Sequence, residues 1–405
     1  MSSRVYEFGP FRLDVPERQF LCGSEHIPLR AKVFDTLALL VENHGRLLTK
    51  DELMKAVWPD AVVEENNLNH NISVLRKALG EKATGQAYIE TVPRVGYRFV
   101  AEVKQAMGAA PPAPSAAAAV TLPVRQEIRF CTARDGARIA YSTVGSGPPL
   151  VKAANWMNHL EFEWHSPIWS HWISELTRRH TVIRYDERGN GLSDWDVEDL
   201  SFEAWVEDLE TVVNAAGVQR FALLGISQGG AVACAYAARH PERVSHLVLY
   251  GAFARGWLHR GSPEDVEQRN ALITLVRLGW GKNSPAFRQV WTNIFIPGGS
   301  AEQMDWFNEL QRVSASPQNA AELLLAAGRL EVVDVLPRIR VPTLVLHCEK
   351  DRAVPMNEGR LLAASIPGAR FVPLPGRNHL VWPTEPAWPI FLRELGAFLG
   401  WESEA

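Results

Sequence analysis

The 405-residue sequence is short of several things, and each shortage narrows what it can encode. No apolar run approaches the roughly 18 residues that a membrane-spanning helix requires, so no transmembrane segment is expected. The N-terminus, Met1-Ser-Ser-Arg-Val-Tyr-Glu7, lacks the charged-then-apolar pattern of a secretory signal. Cysteine is scarce: Cys22, Cys131, Cys234 and Cys348 are scattered without metal-ligand spacing or obvious pairing. Reduced thiols in a cytoplasmic protein, with no metal or other cofactor, are the expectation. Charge is nearly balanced at -4, so it has to be read domain by domain. What remains, 46% hydrophobic and 22% charged residues, is an ordinary soluble composition for two or three domains.

One stretch organises the rest. Phe221-Ala-Leu-Leu-Gly225-Ile-Ser227-Gln228-Gly229-Gly230-Ala231 begins as an apolar strand, breaks at a glycine-flanked serine and continues as an Ala-rich helix. In that strand-turn-helix context G-x-S-x-G forms a nucleophile elbow. The turn is tight and strained, so the positions two residues to either side of Ser227 must be small, which Gly225 and Gly229 satisfy.

Residues 1–104 open with short alternating segments at 5–14, 19–22 and 26–29, punctuated by Gly, Pro and Asp, which predict a small antiparallel sheet. Val33, Leu37, Leu40 and Val41 mark a helix over 30–43, and Thr49 with Glu52 forms a capping box for a second that ends near Trp58. A third helix, about 66–79, places Leu68, Ile72, Leu75 and Leu79 on one face and turns Asn67, Asn69, His70, Asn71, Ser73, Val74, Arg76 and Lys77 outward. Two strand segments over 88–100 close the domain. Residues 1–104 are neutral overall, with 14 basic and 14 acidic side chains, but 66–98 holds five basic against two acidic. The local excess suits phosphate contacts of modest affinity.

This order of sheet, three helices and hairpin, with Leu75-Arg-Lys-Ala-Leu-Gly80 and Thr91-Val-Pro-Arg-Val-Gly-Tyr-Arg-Phe99, resembles the OmpR/PhoB-type winged-helix DNA-binding domain across about 95 residues. The resemblance implies an α+β winged helix-turn-helix whose third helix enters the major groove and whose hairpin near Arg94 and Arg98 is the wing. Arg76, Lys77, Arg94 and Arg98 are then phosphate or groove candidates, and Asn67, Asn69, His70, Asn71 and Ser73 are short groups able to reach base edges. Family members often place an arginine where Val74 stands. No receiver domain is expected before the winged helix, so any input is expected from the segment that follows.

Residues 105–126 are Ala/Pro-rich with almost no charge and read as a tether. Beyond them, 127–401 alternates strands and helices, the pattern of a mostly parallel sheet wrapped by helices, an α/β domain. Tyr185-Asp-Glu-Arg-Gly-Asn-Gly-Leu-Ser193, Gly225-Ile-Ser-Gln-Gly229, Pro342-Thr-Leu-Val-Leu-His-Cys-Glu-Lys-Asp351 and Gly376-Arg-Asn-His379 follow the order and spacing of the α/β-hydrolase fold, a resemblance covering about 270 residues. It implies a serine hydrolase triad: Ser227 as nucleophile, His379 as general base and Asp351 as the acid that orients it. It also implies an oxyanion hole from the N–H groups of Gln228 and Trp156. The family usually carries His-Gly or Pro-Gly before the second donor, where this chain has Ala154-Asn155. Asparagine tolerates positive φ, yet its side chain is large enough to crowd the hole, and the sequence leaves both outcomes open. An insertion at about 252–337, rich in Trp and Phe, is expected to be a helical cap over an apolar pocket.

The combined expectation is a cytoplasmic one-component transcription regulator. Its hydrolase domain binds, and hydrolyses, a small apolar ester-, lactone- or ketone-type ligand. Expected partners are double-stranded promoter DNA, that ligand, RNA polymerase and a second copy of the chain on DNA, with no membrane. Two other readings stay open: a serine esterase or C–C hydrolase with an accessory DNA-binding module, and a catalytically silent receptor.

Overall fold

The computed structural model describes residues 4–15, 19–23, 25–27, 29, 31–57, 65–81, 87–92, 95–105, 126–282 and 286–401. The chain divides into two compact units, with the boundary inside residues 106–125. No helix among the described residues is long and apolar enough to cross a membrane.

In the first unit, β1 (Val5–Phe8), β2 (Phe11–Asp14), β3 (Gln19–Cys22) and β4 (Glu25–His26) pair antiparallel in sequence order. Their alternation turns Phe8, Phe11, Leu13 and Phe20 onto one buried face. The helices α1 (Ala31–Glu42), α2 (Lys50–Val57) and α3 (Glu65–Ala78) pack there, burying Leu37, Leu53, Leu68, Ile72 and Leu75. Thr49 and Glu52 form the capping box, Glu52 N donating to Thr49 Oγ1 at 3.2 Å and Thr49 N to Glu52 Oε2 at 2.8 Å. Before α2, β5 (Leu47–Thr49) pairs with β7 (Gly96–Phe99), which pairs in turn with β6 (Ile89–Val92). The approach leaves no room for a side chain at Gly96, where a Cβ would stand 1.9 Å from the Leu48 carbonyl oxygen.

Both ends of the expected tether are built into structure. Gln105 pairs with Tyr6 in β8 (Lys104–Gln105), and Gln126 donates from Nε2 to the Leu160 carbonyl at 3.1 Å. The residues between, 106–125, lie outside the described residues.

The second unit is one eight-stranded sheet. Its strands are β9 (Glu127–Thr132), β10 (Arg138–Val144), β11 (Pro149–Lys152), β12 (Thr181–Tyr185), β13 (Phe221–Ile226), β14 (Val244–Tyr250), β15 (Thr343–Cys348) and β16 (Arg370–Leu374). They lie in the order β16-β15-β14-β13-β11-β12-β10-β9, parallel except where β10 meets its two neighbours. β13 and β15 are buried at every residue, as expected for parallel strands covered on both faces. Each apolar side chain buried there contributes roughly 1.5–3 kcal/mol. β16 is an edge strand carrying Pro373, the position at which a missing N–H is tolerated. Inserted between β14 and β15 are the helices Trp257–Arg260, Pro263–Gly279, Ala286–Phe295, Ala301–Ser314 and Pro317–Gly328. Ligand sites in such sheets lie beyond the carboxyl ends of the strands, and Trp156, Ser227, Asp351 and His379 follow β11, β13, β15 and β16 respectively.

Candidate functional site

Ser227 follows β13 with φ +52, a left-handed conformation that holds its side chain clear of the strand. Its neighbours show why the elbow needs glycine. A Cβ at Gly225 would stand 2.7 Å from Gly230 Cα, and one at Gly229 would stand 2.5 Å from the Ala154 carbonyl oxygen. The backbone is anchored by Ser227 N donating to Tyr250 O at 3.0 Å.

His379 and Asp351 come together 28 residues apart in sequence. His379 Nδ1 lies 2.6 Å from Asp351 Oδ2, while Asp351 Oδ1 accepts from the N–H groups of Ala353 at 2.8 Å and Val354 at 3.1 Å. The carboxylate is thus held from one side by backbone and presents the other oxygen to the imidazole. His379 Nε2 is buried and has no hydrogen-bond partner among the described residues. With Nδ1–H directed at Asp351, Nε2 is the free acceptor that a general base requires. The cap helps to set this loop: His379 N donates to the Phe295 carbonyl at 2.7 Å, and the two rings pack edge-on at 5.3 Å.

Ser227 and His379 line the same cavity, together with Asn155, Trp156, Met157, Trp169, Ile226, Phe295, Phe307 and Leu380. Phe295 and Phe307 come from the cap, whose Trp280 and Trp291 pack against Trp156 at 5.6 and 5.4 Å. The wall is apolar apart from Asn155, Ser227 and His379, and among the described residues no carboxylate, ammonium or guanidinium group lines it. Of the cap arginines, Arg255 is paired with Glu358 at 2.7 Å, and Arg260 and Arg269 stack over Phe253 and Trp291.

The loop after β11 departs from expectation. Positive φ falls on Met157, at +61, and not on Asn155. The Asn155 side chain is tied to its own loop: its Oδ1 accepts from the buried Lys152 Nζ at 2.6 Å and its Nδ2 donates to the Trp156 carbonyl at 3.2 Å. Burial holds the Lys152 ammonium below its ordinary range. Trp156 N, the expected second oxyanion donor, points instead at Gln228 Oε1, 3.0 Å away. Asp186 pins the far end of the same loop, accepting from Asn158 Nδ2 at 2.8 Å, Leu160 N at 2.9 Å and Leu192 N at 2.8 Å. Burial pushes its carboxyl up to about 7.

Sequence reasoning missed two neighbours of the His–Asp pair. Gly251, at φ +53, packs so closely that a Cβ there would stand 2.9 Å from His379 Cε1. His347 sits behind Asp351, its Nε2 3.8 Å from Oδ2 and 2.9 Å from the Val354 carbonyl, and burial lowers its proton affinity. A glycine immediately after a buried strand is the only sequence signal for the first, and nothing in the sequence pattern marks the second.

On the winged helix, Ser73 and Lys77 are exposed on α3 without a partner among the described residues. Asn69 is exposed and accepts from Tyr97 Oη at 2.8 Å. One expectation, that Asn71 faces outward, is corrected. Asn71 faces inward, donating to Lys32 O and Thr36 Oγ1 at 3.0 Å each. Arg76 reaches sideways to the wing, donating to Ile89 O at 2.8 Å and Thr91 Oγ1 at 2.7 Å, with Glu81 3.3 Å away. Arg98 lies 3.5 Å from its cross-strand partner Glu90. Asn67 and His70 are α3 positions whose side chains lie outside the described residues, as does Arg94.

Comparison with known proteins fits this division. A family model described as "alpha/beta hydrolase fold" matches residues 162–386, and one described as "Transcriptional regulatory protein, C terminal" matches 23–99. The chain is 30% identical over 253 residues to a putative carbamate hydrolase of Azorhizobium caulinodans, covering 60% of this chain and 88% of the relative. It is 28% identical over 266 residues to a non-heme haloperoxidase of Rhodococcus erythropolis, covering 62% and 92%. A solved hydrolase from Pseudomonas aeruginosa superposes with TM-score 0.56 at 26% identity, covering 67% of this chain and 98% of that one. With a family model spanning more than half its length, the chain belongs to the alpha/beta-hydrolase fold family, carrying in the same polypeptide a DNA-binding domain of the transcriptional-regulator type.

Proposed function

We propose that the protein is a cytoplasmic one-component transcription regulator in which a small neutral ligand, bound beside Ser227, changes the affinity of the winged helix for promoter DNA. The observation that carries this reading is the union of the two domains: a transcriptional-regulator DNA-binding domain shares its chain with a hydrolase-fold domain whose cavity offers Ser227 and His379 in an otherwise apolar wall. Such a wall favours an ester, lactone or ketone over an anion, because burying a charge without a partner is expensive. With an ester or lactone, Ser227 Oγ attacks the carbonyl carbon while His379 Nε2 takes the hydroxyl proton and Asp351 stabilises the imidazolium. The imidazolium then protonates the leaving alkoxide as its C–O bond breaks, and a water deprotonated by His379 cleaves the acyl-serine. Hydrolysis then resets the signal, whereas a ketone is bound without hydrolysis.

For ligand to regulate DNA binding it must bind one conformation better than the other. The winged helix docks α3 in the major groove, with Ser73 and Lys77 facing the duplex and the paired strands β6 and β7 beside it. Two copies on one operator and contact with RNA polymerase complete the picture. The test is fluorescence anisotropy of the full chain on selected operator DNA, titrated with a panel of esters, lactones and ketones. A shift in DNA affinity with at least one of them is expected. DNA affinity indifferent to every ligand that Ser227 turns over would favour an esterase that DNA merely localises.

One observation favours a slower, receptor-like variant of this reading: the Trp156 amide is already occupied by the Gln228 side chain.

A further inference from the structure

We propose that the side chain of Gln228 plugs the oxyanion hole of the resting protein, making Gln228 a positioning residue that sets how fast Ser227 reacts. This rests on the reading of Ser227, His379 and the Trp156 amide as one acyl-transfer site.

Acyl transfer at a serine builds negative charge on the former carbonyl oxygen, and two N–H groups must be aimed at one point to receive it. Gln228 supplies one from its own backbone, immediately after the nucleophile. The other candidate, Trp156 N–H, is committed to Gln228 Oε1 at 3.0 Å. An N–H has a single hydrogen, and a donor aligned on one acceptor is a poor donor to another. The plug is itself a carbonyl oxygen, so it offers the amide a partner much like the one a bound ester would bring.

The far end of Gln228 is held as well. Its Nε2 donates to Glu187 Oε1 at 2.5 Å, and Glu187 Oε2 accepts from Asn190 Nδ2 at 3.1 Å. Glu187 N donates in turn to Asn158 Oδ1 at 3.3 Å, tying the Gly-rich loop back to the loop that carries Trp156. Gln228 and Glu187 are each 2% exposed, so water does not compete for these bonds. The orientation of the amide is also determined. Turned over, its NH2 would face the Trp156 N–H, a donor against a donor, at a residue only 2% exposed.

Acylation therefore requires Gln228 to leave the Trp156 amide, giving up bonds at both ends of its side chain. Binding of a neutral carbonyl compound in the apolar part of the cavity requires no such movement. The arrangement separates recognition from turnover, as suits a sensor that holds its ligand long enough to report it.

The experiment uses the purified full chain with p-nitrophenyl acetate and a tagged fluorophosphonate, in wild type, Gln228→Ala and Gln228→Met. Alanine removes the plug, whereas methionine keeps most of the volume and removes the acceptor. One oxyanion donor is worth roughly 100-fold or more in rate, so freeing it should raise kcat at least about 10-fold, with KM changed less than about threefold. Labelling at Ser227, located by peptide mass, should quicken in parallel. A Gln228 with only a packing role would leave kcat equal or lower in folded variants. Ser227 labelled in all three proteins without that gain overturns the plug and leaves the nucleophile assignment standing. Absence of labelling at Ser227 in all three, with cooperative melting intact, overturns the nucleophile assignment and the plug with it.

Discussion

His379 Nδ1 and Asp351 Oδ2 stand 2.6 Å apart in a buried pair, and the opposite ring nitrogen, Nε2, has no partner of its own among the described residues. The carboxylate fixes which nitrogen carries the proton, so its charge matters more than its shape. Asp351→Asn keeps an acceptor for Ala353 and Val354 but removes that control. A loss of roughly 10³–10⁴ in kcat on p-nitrophenyl acetate is expected, with the melting temperature nearly unchanged. A variant that retains turnover would remove Asp351 from the mechanism.

Lys77 and Arg76 are adjacent in sequence and have different expected roles. Lys77 is exposed on α3, so Lys77→Ala should weaken DNA binding across sequences and lower the salt-dependence slope by about one, without loss of stability. Arg76 ties α3 to β6, with its side chain 37% exposed. Arg76→Ala should therefore destabilise the first unit on the order of 1 kcal/mol, after allowance for solvent screening. Anisotropy at several salt concentrations, paired with thermal melts, separates the two. An unchanged slope in Lys77→Ala would take α3 out of the groove model.

The parts of the fold that sequence reveals are those whose physics is local. β13 and β15 read as unbroken apolar runs because both faces are covered, and Gly225 and Gly229 flank Ser227 because a Cβ at either would meet backbone or neighbouring atoms. What stays hidden depends on partners distant in sequence. Residue type places Asn71 outward, yet it lies three residues after Leu68 on the core stripe, and the partners that let its amide turn inward belong to α1. The bonds from Arg76 to β6 cannot be seen from the helix alone. β5 has three residues, too few to show alternation. The Gln228 side chain joins residues 41 and 72 positions away, a relation that no periodicity records.

Gly251 tests how closely the His–Asp pair is packed. At φ +53 an alanine is strained by roughly 1–2 kcal/mol, and its Cβ would press on His379 Cε1. Gly251→Ala should reduce kcat more than it raises KM, because the imidazole is displaced while the apolar wall is kept. The measurement is steady-state kinetics with p-nitrophenyl acetate, alongside a thermal melt. Wild-type kcat in a folded variant would show that the loop of His379 yields without penalty.

Glu187 gives a prediction in pH. Burial pushes its carboxyl up from 4.5 to about 8, so between those values the folded protein holds a proton that the unfolded chain has released. The unfolded state then binds fewer protons, and stability falls as pH rises across that window, levelling off above about 8. Glu187→Gln keeps an acceptor for Gln228 or Asn190 and carries no charge to bury, so it lacks this loss. Asp186, pushed up to about 7, contributes a slope of the same sign in both proteins and cancels in the comparison. The melting temperature of Glu187→Gln minus that of wild type should therefore grow from pH 5 to pH 8, by roughly 2–4 °C for each kcal/mol of relief, and then stay level. A difference that is flat from pH 5 to 9 would mean that Glu187 is ionised in the folded protein throughout, its charge fully met by Gln228, Asn190 and the nearby Lys152 and Arg188.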